Sequence, residues 1–337
     1  MNKLLTISIA AYNVENYIIK TLDSLCSSKY IDLIEIVIVN DGSKDRTNEL
    51  CKDYAIKYPQ SIIYIDKENG GHGSTINSSI KVASGKFYRV IDGDDWVDTE
   101  VFDKFLDKLM GLNTDIVLND YVTVAPNKSI LVKPFSSLES LKKYELQNIK
   151  DIGNITLHTL TVLTETIRKS NIQITENCYY VDIEYIYFAM VKSNTLTYID
   201  LPVYCYRVGN INQSISKISL IKNIDMQVKV CKSLAQKYKS ITEVEGIGVN
   251  KIRMIFNRIK RSFGSVERTY LLIGNFKQAK NNIKNFEQEI YEISNRLYDE
   301  IGGSVFFRVI RFGDYLFVPL VGAIYRAYCV IKHEAYK

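Results

Sequence analysis

The sequence predicts an α/β fold: a doubly wound, mostly parallel sheet followed by a helical C-terminal region. Three observations predict it. Apolar, strand-like runs alternate with amphipathic segments over residues 1–125. Acidic and polar residues gather just past the strands, most densely in KFYRVIDGDDWVD at 86–98. From about residue 216 the alternation gives way to helical periodicity.

The elements follow in order. LLTISIAAY (4–12) reads as a strand. In 14–28, Tyr17, Ile18, Thr21, Leu22 and Leu25 share one helical face. IEIVIVND (34–41) is a continuous apolar run, as a strand buried on both faces of a parallel sheet requires. A helix is expected over 45–58, a strand over 61–66 and a helix over 73–84. KFYRVID is the fourth strand; Asp98 can cap a helix over 99–110, and 115–124 is a fifth strand. Helices are then expected at 217–240, 247–262, 266–281 and 282–298, with Gly246, Gly264 and Gly274 as breaks. The end of the chain is apolar and basic. Its longest uncharged stretch, 315–325, contains Pro319 and is too short to span a bilayer.

Composition narrows the class. With 337 residues, 46% hydrophobic and 24% charged, the chain can bury a sizeable core and has the balance of a globular protein. Six scattered cysteines form no CxxC pair, so no zinc or redox signature is present. The N-terminus alternates like a strand and does not read as a signal peptide, which predicts a cytoplasmic location. No GxGxxG opens a helix after the first strand and no GxxxxGK[ST] occurs, so neither a dinucleotide fold nor a P-loop is supported. Residues 1–215 hold 22 Lys and Arg against 27 Asp and Glu; residues 216–337 hold 21 against 11. An acidic front and a basic back point to two different tasks.

Ligands of doubly wound sheets bind beyond the carboxyl ends of the strands. Here those ends carry Tyr12, Asn13 and Glu15, then Asp41, then Asp66, then Asp92, Asp94 and Asp95. Acids at a strand end suit a divalent cation held against a diphosphate, because hard cations take carboxylate and phosphate oxygens. An acidic turn after a strand is also common without any ligand; the placement after the fourth strand of an alternating pattern gives it weight.

Four stretches, SIAAYNVENYI (8–18), VNDGSKDRT (39–47), ENGGHGSTIN (68–77) and VIDGDDWVD (90–98), together resemble family 2 glycosyltransferases of the GT-A fold. A fifth, YRVGNINQSIS (206–216), is similar to a segment in the bacterial capsule and cell-surface polysaccharide members. The resemblance covers about residues 1–216 and implies a catalytic domain there, with a nucleotide-sugar half (1–125) and an acceptor half (126–216). It implies that Ala10, Tyr12, Asn13 and Glu15 border the nucleoside, that Asp41 meets the uracil edge and that Asp66 assists. It further implies that Gly71, His72 and Asn77 belong to the donor site, that Asp92 and Asp95 face the ribose or sugar, and that Asp94 with Asp92 ligates Mn2+ or Mg2+. Asp182, in YYVDIEY (179–185), matches the base, with Glu184 as its rival. His158, Arg207, Gln213 and Ser214 are candidates for an acceptor or phosphate. Two departures stand out: Ile76 where many relatives have Arg, and Val181 where Glu is usual before the base.

The expected activity is inverting, metal-dependent transfer of one sugar from a UDP-sugar to a lipid-linked or cell-surface glycan. The alternative is a non-catalytic nucleotide-binding scaffold of a polysaccharide assembly. A nucleotidyltransferase would show a basic, Gly-rich first loop, which AAYNVENY is not. Nucleic acid is not an expected partner, since no recognised module appears in the basic half. Residues 217–337 are expected to lie on an anionic membrane at the inner face of the plasma membrane, with Phe306, Phe307, Leu316 and Phe317 entering the interface, or to form a homodimer.

Overall fold

The computed structural model describes residues 3–209, 214, 216–243 and 247–335. The chain divides into two compact units, Met1–Gly209 and Asn210–Lys337.

The first unit is built on one ten-stranded sheet. Its parallel front comprises β1 (Leu5–Ala11), β2 (Ile34–Asp41), β3 (Ile62–Lys67) and β4 (Phe87–Asp92), in the order β3-β2-β1-β4. All eight residues of β2 are buried, which is why that strand lacks an alternating pattern. Helices α1 (Ile18–Cys26), α2 (Thr47–Lys57), α3 (His72–Val82) and α4 (Thr99–Met110) make the crossovers. In α1 the buried positions are Ile18, Thr21, Leu22, Leu25 and Cys26, a continuous helical stripe. Asp98 caps α4 by accepting from the Val101 N–H at 3.1 Å.

Beyond β4 the sheet becomes mixed. It runs on through β9 (Leu160–Leu163), β6 (Ile116–Ala125), β10 (Thr195–Arg207) and β5 (Trp96–Val97). β9 is antiparallel to both β4 and β6, whereas β6 and β10 pair in parallel. β7 (Lys128–Val132) adds to β6 and β8 (Lys143–Glu145) to β10. The longest ladders are parallel and the short ones antiparallel. Two helices complete the unit: α5 (Thr164–Lys169) and α6, which begins at Asp182 and ends at Lys192.

The second unit is helical: α7 (Lys217–Lys222), α8 (Ile224–Thr242), α9 (Val249–Leu271), α10 (Phe276–Ile293), α11 (Asn295–Gly302), α12 (Val305–Tyr315) and α13 (Val318–Ala335). Its boundaries correct the sequence expectation. Gly264 does not break a helix; α9 runs through it, because its apolar face (Ile255, Ile259, Phe263, Val266, Tyr270) continues in phase. Packing of that face outweighs the ~1 kcal/mol that an interior glycine costs. The chain breaks instead at 272–275, around Gly274 as expected, and at Ser294, whose hydroxyl caps α11 by accepting from Leu297 N–H; Gly246 lies outside the described residues. Phe307 is buried and Phe306 half-buried, so neither is an outward aromatic as expected, while Leu316 and Phe317 are exposed. No helix among the described residues is long and apolar enough to cross a membrane.

Candidate active site

The site forms where β4 ends. Strand register places Ala10 beside Asp92. The chain then turns at Gly93, where a Cβ would lie 2.6 Å from the Ala10 carbonyl oxygen, so only glycine fits. The turn delivers Asp94 and Asp95. Asp95 is buried and its carboxylate accepts from the Tyr204 hydroxyl at 2.6 Å and the Arg207 N–H at 2.7 Å. The Tyr204 oxygen also accepts from Asp92 N–H at 3.2 Å. The Arg207 guanidinium donates to the Asp94 carbonyl at 2.9 Å and lies 4.7 Å from both the Tyr17 and Trp96 ring centres. The end of β10 thus fixes the acid loop from outside.

His158 completes the cluster. Its ring stacks on Tyr206 (4.1 Å between centres) and meets Tyr204 edge-on (4.8 Å). Its carbonyl accepts from the buried Arg89 at 2.6 Å. Asp92, Asp95 and His158 each bring one ligand atom within 4.8 Å of the others. Two carboxylates and an imidazole fit a divalent cation, and the imidazole favours manganese over magnesium. Asp94, expected from the sequence as a ligand, is not in this compact set.

The electrostatics show crowded negative charge. Burial, then the charge of Asp92, pushes Asp94 up to about 6. Burial, with Asp92 and Asp94, raises Asp95 well above the usual carboxylate range. Burial would raise Asp92 too, but the His72 imidazole 3.2 Å away and His158 outweigh it and hold Asp92 low. For His72, burial opposes protonation, and the Asp92 carboxylate with the charges of Asp182 and Asp41 more than offsets it. The His72–Asp92 approach is an ion-pair contact that lacks the alignment of a hydrogen bond.

The loops after β1 and β2 are laced together. Asn13 Oδ1 accepts from Lys44 N–H (2.8 Å), and Glu15 accepts from Arg46 N–H (2.9 Å). Tyr12 is exposed and Ala10 half-buried at the same rim. Asp41 is buried and accepts from Lys67 Nζ (2.8 Å), Gly70 N–H (2.9 Å), Gly71 N–H (2.8 Å) and Ser74 Oγ (3.1 Å). Asp66 lies within β3 and accepts from the Asn40 and Asn48 amides (2.7 and 3.1 Å). Both acids therefore organise the loops, with their partners inside the chain.

Two residues take parts that the sequence did not foretell. Asn77 is buried and its amide group bonds the segment 174–176. Glu184 is fully buried and accepts from Thr175 N–H at 2.8 Å, whereas Asp182, the first residue of α6, is half-buried and its charge is felt by His72 and Tyr206. Sequence reasoning also missed Tyr204. Strand alternation puts Tyr204 and Tyr206 on one face of β10, and that period was the available signal. Ser214 is described in the second unit; Gln213 lies outside the described residues.

Comparison with known proteins agrees with this layout. Residues 6–159 match the family described as Glycosyl transferase family 2. The chain is 36% identical over 117 residues to the glycosyltransferase GlyA of Streptococcus pneumoniae, covering 35% of this chain and 16% of GlyA. It is 30% identical over 179 residues to the minor teichoic acid biosynthesis protein GgaB of Bacillus subtilis, covering 50% and 19%. The chain thus spans less than a fifth of the length of either relative. S. aureus TarS 1–349, solved in complex with UDP-GlcNAc, superposes with a TM-score of 0.69 at 19% identity, over 94% of this chain and 90% of that one. That likeness shows the fold. The family match covers the strands that end in Asp41 and Asp92, so residues 6–159 carry the likeness to glycosyltransferase family 2, and the superposition with TarS shows a GT-A fold.

Proposed function

We propose that the chain is an inverting, metal-dependent glycosyltransferase that moves one sugar from a UDP-sugar to a hydroxyl of a lipid-linked or cell-surface glycan. The observation that carries this reading is the convergence of Asp92, Asp94, Asp95, His72 and His158 at one strand end, with the charge of Asp182 acting on the same cluster. Asp92, Asp95 and His158 would hold the cation, which when bound would supply Lewis-acid stabilisation of the leaving diphosphate. Asp182 takes the proton of the acceptor hydroxyl as general base. One base and one displacement invert the anomeric centre. GgaB is named for minor teichoic acid biosynthesis and TarS was solved with UDP-GlcNAc; both support a UDP-sugar donor and a polymer acceptor.

The second unit supplies a surface for the acceptor's membrane. On α12, α13 and the turn between them the residues Val305, Phe312, Leu316 and Ile324 are 69%, 62%, 64% and 62% exposed, with Val309, Leu320 and Tyr328 exposed between and beyond them. Monomeric proteins rarely leave so many large apolar side chains in water. Residues 216–337 carry 21 Lys and Arg against 11 Asp and Glu, which matches an anionic lipid face.

The test is transfer by wild type and Asp182→Asn with UDP-sugars and manganese, beside the melting temperature with UDP and manganese. Wild-type turnover is expected, with a kcat loss of about 10²–10⁴-fold in the variant and an unchanged UDP-dependent melting shift. Full activity of Asp182→Asn removes the base assignment. A folded wild type without turnover on any donor restores the scaffold alternative.

A further inference from the structure

We propose that Asn77 is a positioning residue for Asp182 and acts on the acceptor side of the reaction, not on the donor. This rests on the assignment of Asp182 as the base. Asn77 lies on α3, and its Nδ2 donates to the Ile174 carbonyl (2.9 Å) and to Glu176 Oε1 (3.0 Å), while its Oδ1 accepts from Ile174 N–H (2.9 Å). A single amide thus binds both backbone groups of residue 174 and the side chain of 176.

The neighbouring glycines serve the same contact. A Cβ on Gly73 would lie 2.1 Å from the Thr175 carbonyl oxygen, and one on Gly71 would lie 3.0 Å from Cys178 N. The Gly70 carbonyl accepts from Asn177 N–H at 2.5 Å. The stretch GGHGSTIN is therefore a seat cut to the shape of residues 174–178, and its missing side chains are room for that segment's backbone.

The segment needs a seat. Between Thr175 and α6 the chain passes through Asn177 and Tyr180 with φ of +54° and +65°. Left-handed residues other than glycine cost about 1–2 kcal/mol each, so this path persists only where its surroundings hold it. Asn77 holds it at one end, and Glu184, accepting from Thr175 N–H, holds it to α6 itself. Asp182 begins α6 directly after this path, and its charge acts on His72, which stands between Gly71 and Gly73. On its other side the stretch is pinned by Asp41 through the Gly70 and Gly71 N–H groups. The stretch therefore sets the base against the acid cluster.

Asn77→Asp tests this. The variant keeps an acceptor for Ile174 N–H, loses the donor to the Ile174 carbonyl and sets a carboxylate against Glu176. A displacement of about 1 Å at the base predicts a kcat loss on the order of 100-fold. The UDP-dependent melting shift with manganese should stay within about twofold in apparent affinity. Adding Glu176→Gln, which supplies an amide donor to the new carboxylate, should recover at least about tenfold of the lost kcat; Glu176→Gln alone should stay near wild type. If Asn77→Asp does not fold, Asn77→Ser, which adds no charge, should show the same split between kcat and UDP affinity. Parallel loss of UDP affinity and kcat would make Asn77 a donor ligand and overturn the proposal, as would unchanged kcat or the absence of rescue. The split between kcat and UDP affinity is read from these variants alone, so it stays distinct from the fate of Asp182→Asn.

Discussion

Each half of the chain buries carboxylates, and the company they keep differs. In the first unit Asp92, Asp94 and Asp95 crowd together, and two of the three are pushed above the usual carboxylate range by burial and by each other. Tyr204 and Arg207, from another strand, tie this loop down: both donate to the Asp95 carboxylate, Arg207 also donates to the Asp94 carbonyl, and the Tyr204 oxygen accepts from Asp92 N–H. In the second unit Glu287 is sealed by Arg311 Nε (2.8 and 3.0 Å) and the Tyr315 hydroxyl (2.6 Å), and Glu267 is buried beside it with neither oxygen hydrogen-bonded among the described residues. The first arrangement is a concentration of negative charge of the kind a cation would relieve; the second is closed by Arg311 and the Tyr315 hydroxyl. Burial of an acid is therefore no sign of function by itself. Mutual repulsion at the end of a strand, held in place by donors from elsewhere, is the more telling feature.

The sharpest way to break this contrast is to loosen the first cluster without touching an acid. Tyr204→Phe removes the hydroxyl that bonds Asp95 and receives the Asp92 N–H. Outer-shell losses of this kind weaken metal binding by about 10–100-fold. The half-saturating manganese concentration for transfer, and for the melting shift with UDP, should rise by that factor while the fold persists. An unchanged manganese requirement would mean that the bridge is packing only.

The front of the fold was legible because its signals are local. The apolar run of β2, the stripe of α1 and the acids after β4 all lie within single short windows. What stayed hidden depends on contacts made far along the chain. β9 slots antiparallel between β4 and β6, although it is only four residues long and nothing in LTVL names its neighbours. Asn77 reaches a segment 97 residues away and Tyr204 meets an acid 109 residues away. A motif shows that a residue type is placed with care, and does not show which side of a cleft it serves. In α12 apolar side chains fall on more than one side of the helix, so periodicity could not tell that Phe307 and Ile310 face inward and Val305, Val309 and Phe312 outward.

That outward face yields the next prediction. Replacing Phe312, Leu316 and Ile324 together by Ser removes apolar area that fully buried side chains would value at about 1.5–3 kcal/mol each. These positions would be only partly immersed, so binding to anionic vesicles in sedimentation should fall by at least about tenfold, with little change in melting temperature. Wild type should also bind zwitterionic vesicles more weakly than anionic ones, and added salt should narrow the gap. Equal binding by the triple variant would detach the stripe from lipid. A wild type that ignores vesicles but sediments as a dimer, lost in the variant, would give the stripe to a second copy.

The smallest effect sharpens the other side of the contrast. Burial, then Glu287, raises the Glu267 carboxyl well above its ordinary value, against the milder pull of Arg311 and Arg268. The native state then keeps a proton that the unfolded chain releases. Stability contributed by this group is complete below the ordinary carboxyl range and is lost as pH rises through the raised native value. Glutamine cannot titrate and still offers a donor toward Glu287. Glu267→Gln should therefore be close to neutral near about pH 5 and stabilising near about pH 8. Each kcal/mol gained moves the melting temperature by about 4 °C. A difference that does not grow with pH would mean that Glu267 ionises in place, with Arg311 serving both acids; the second unit would then hold a charge cluster after all, and the line drawn between the two halves would fall.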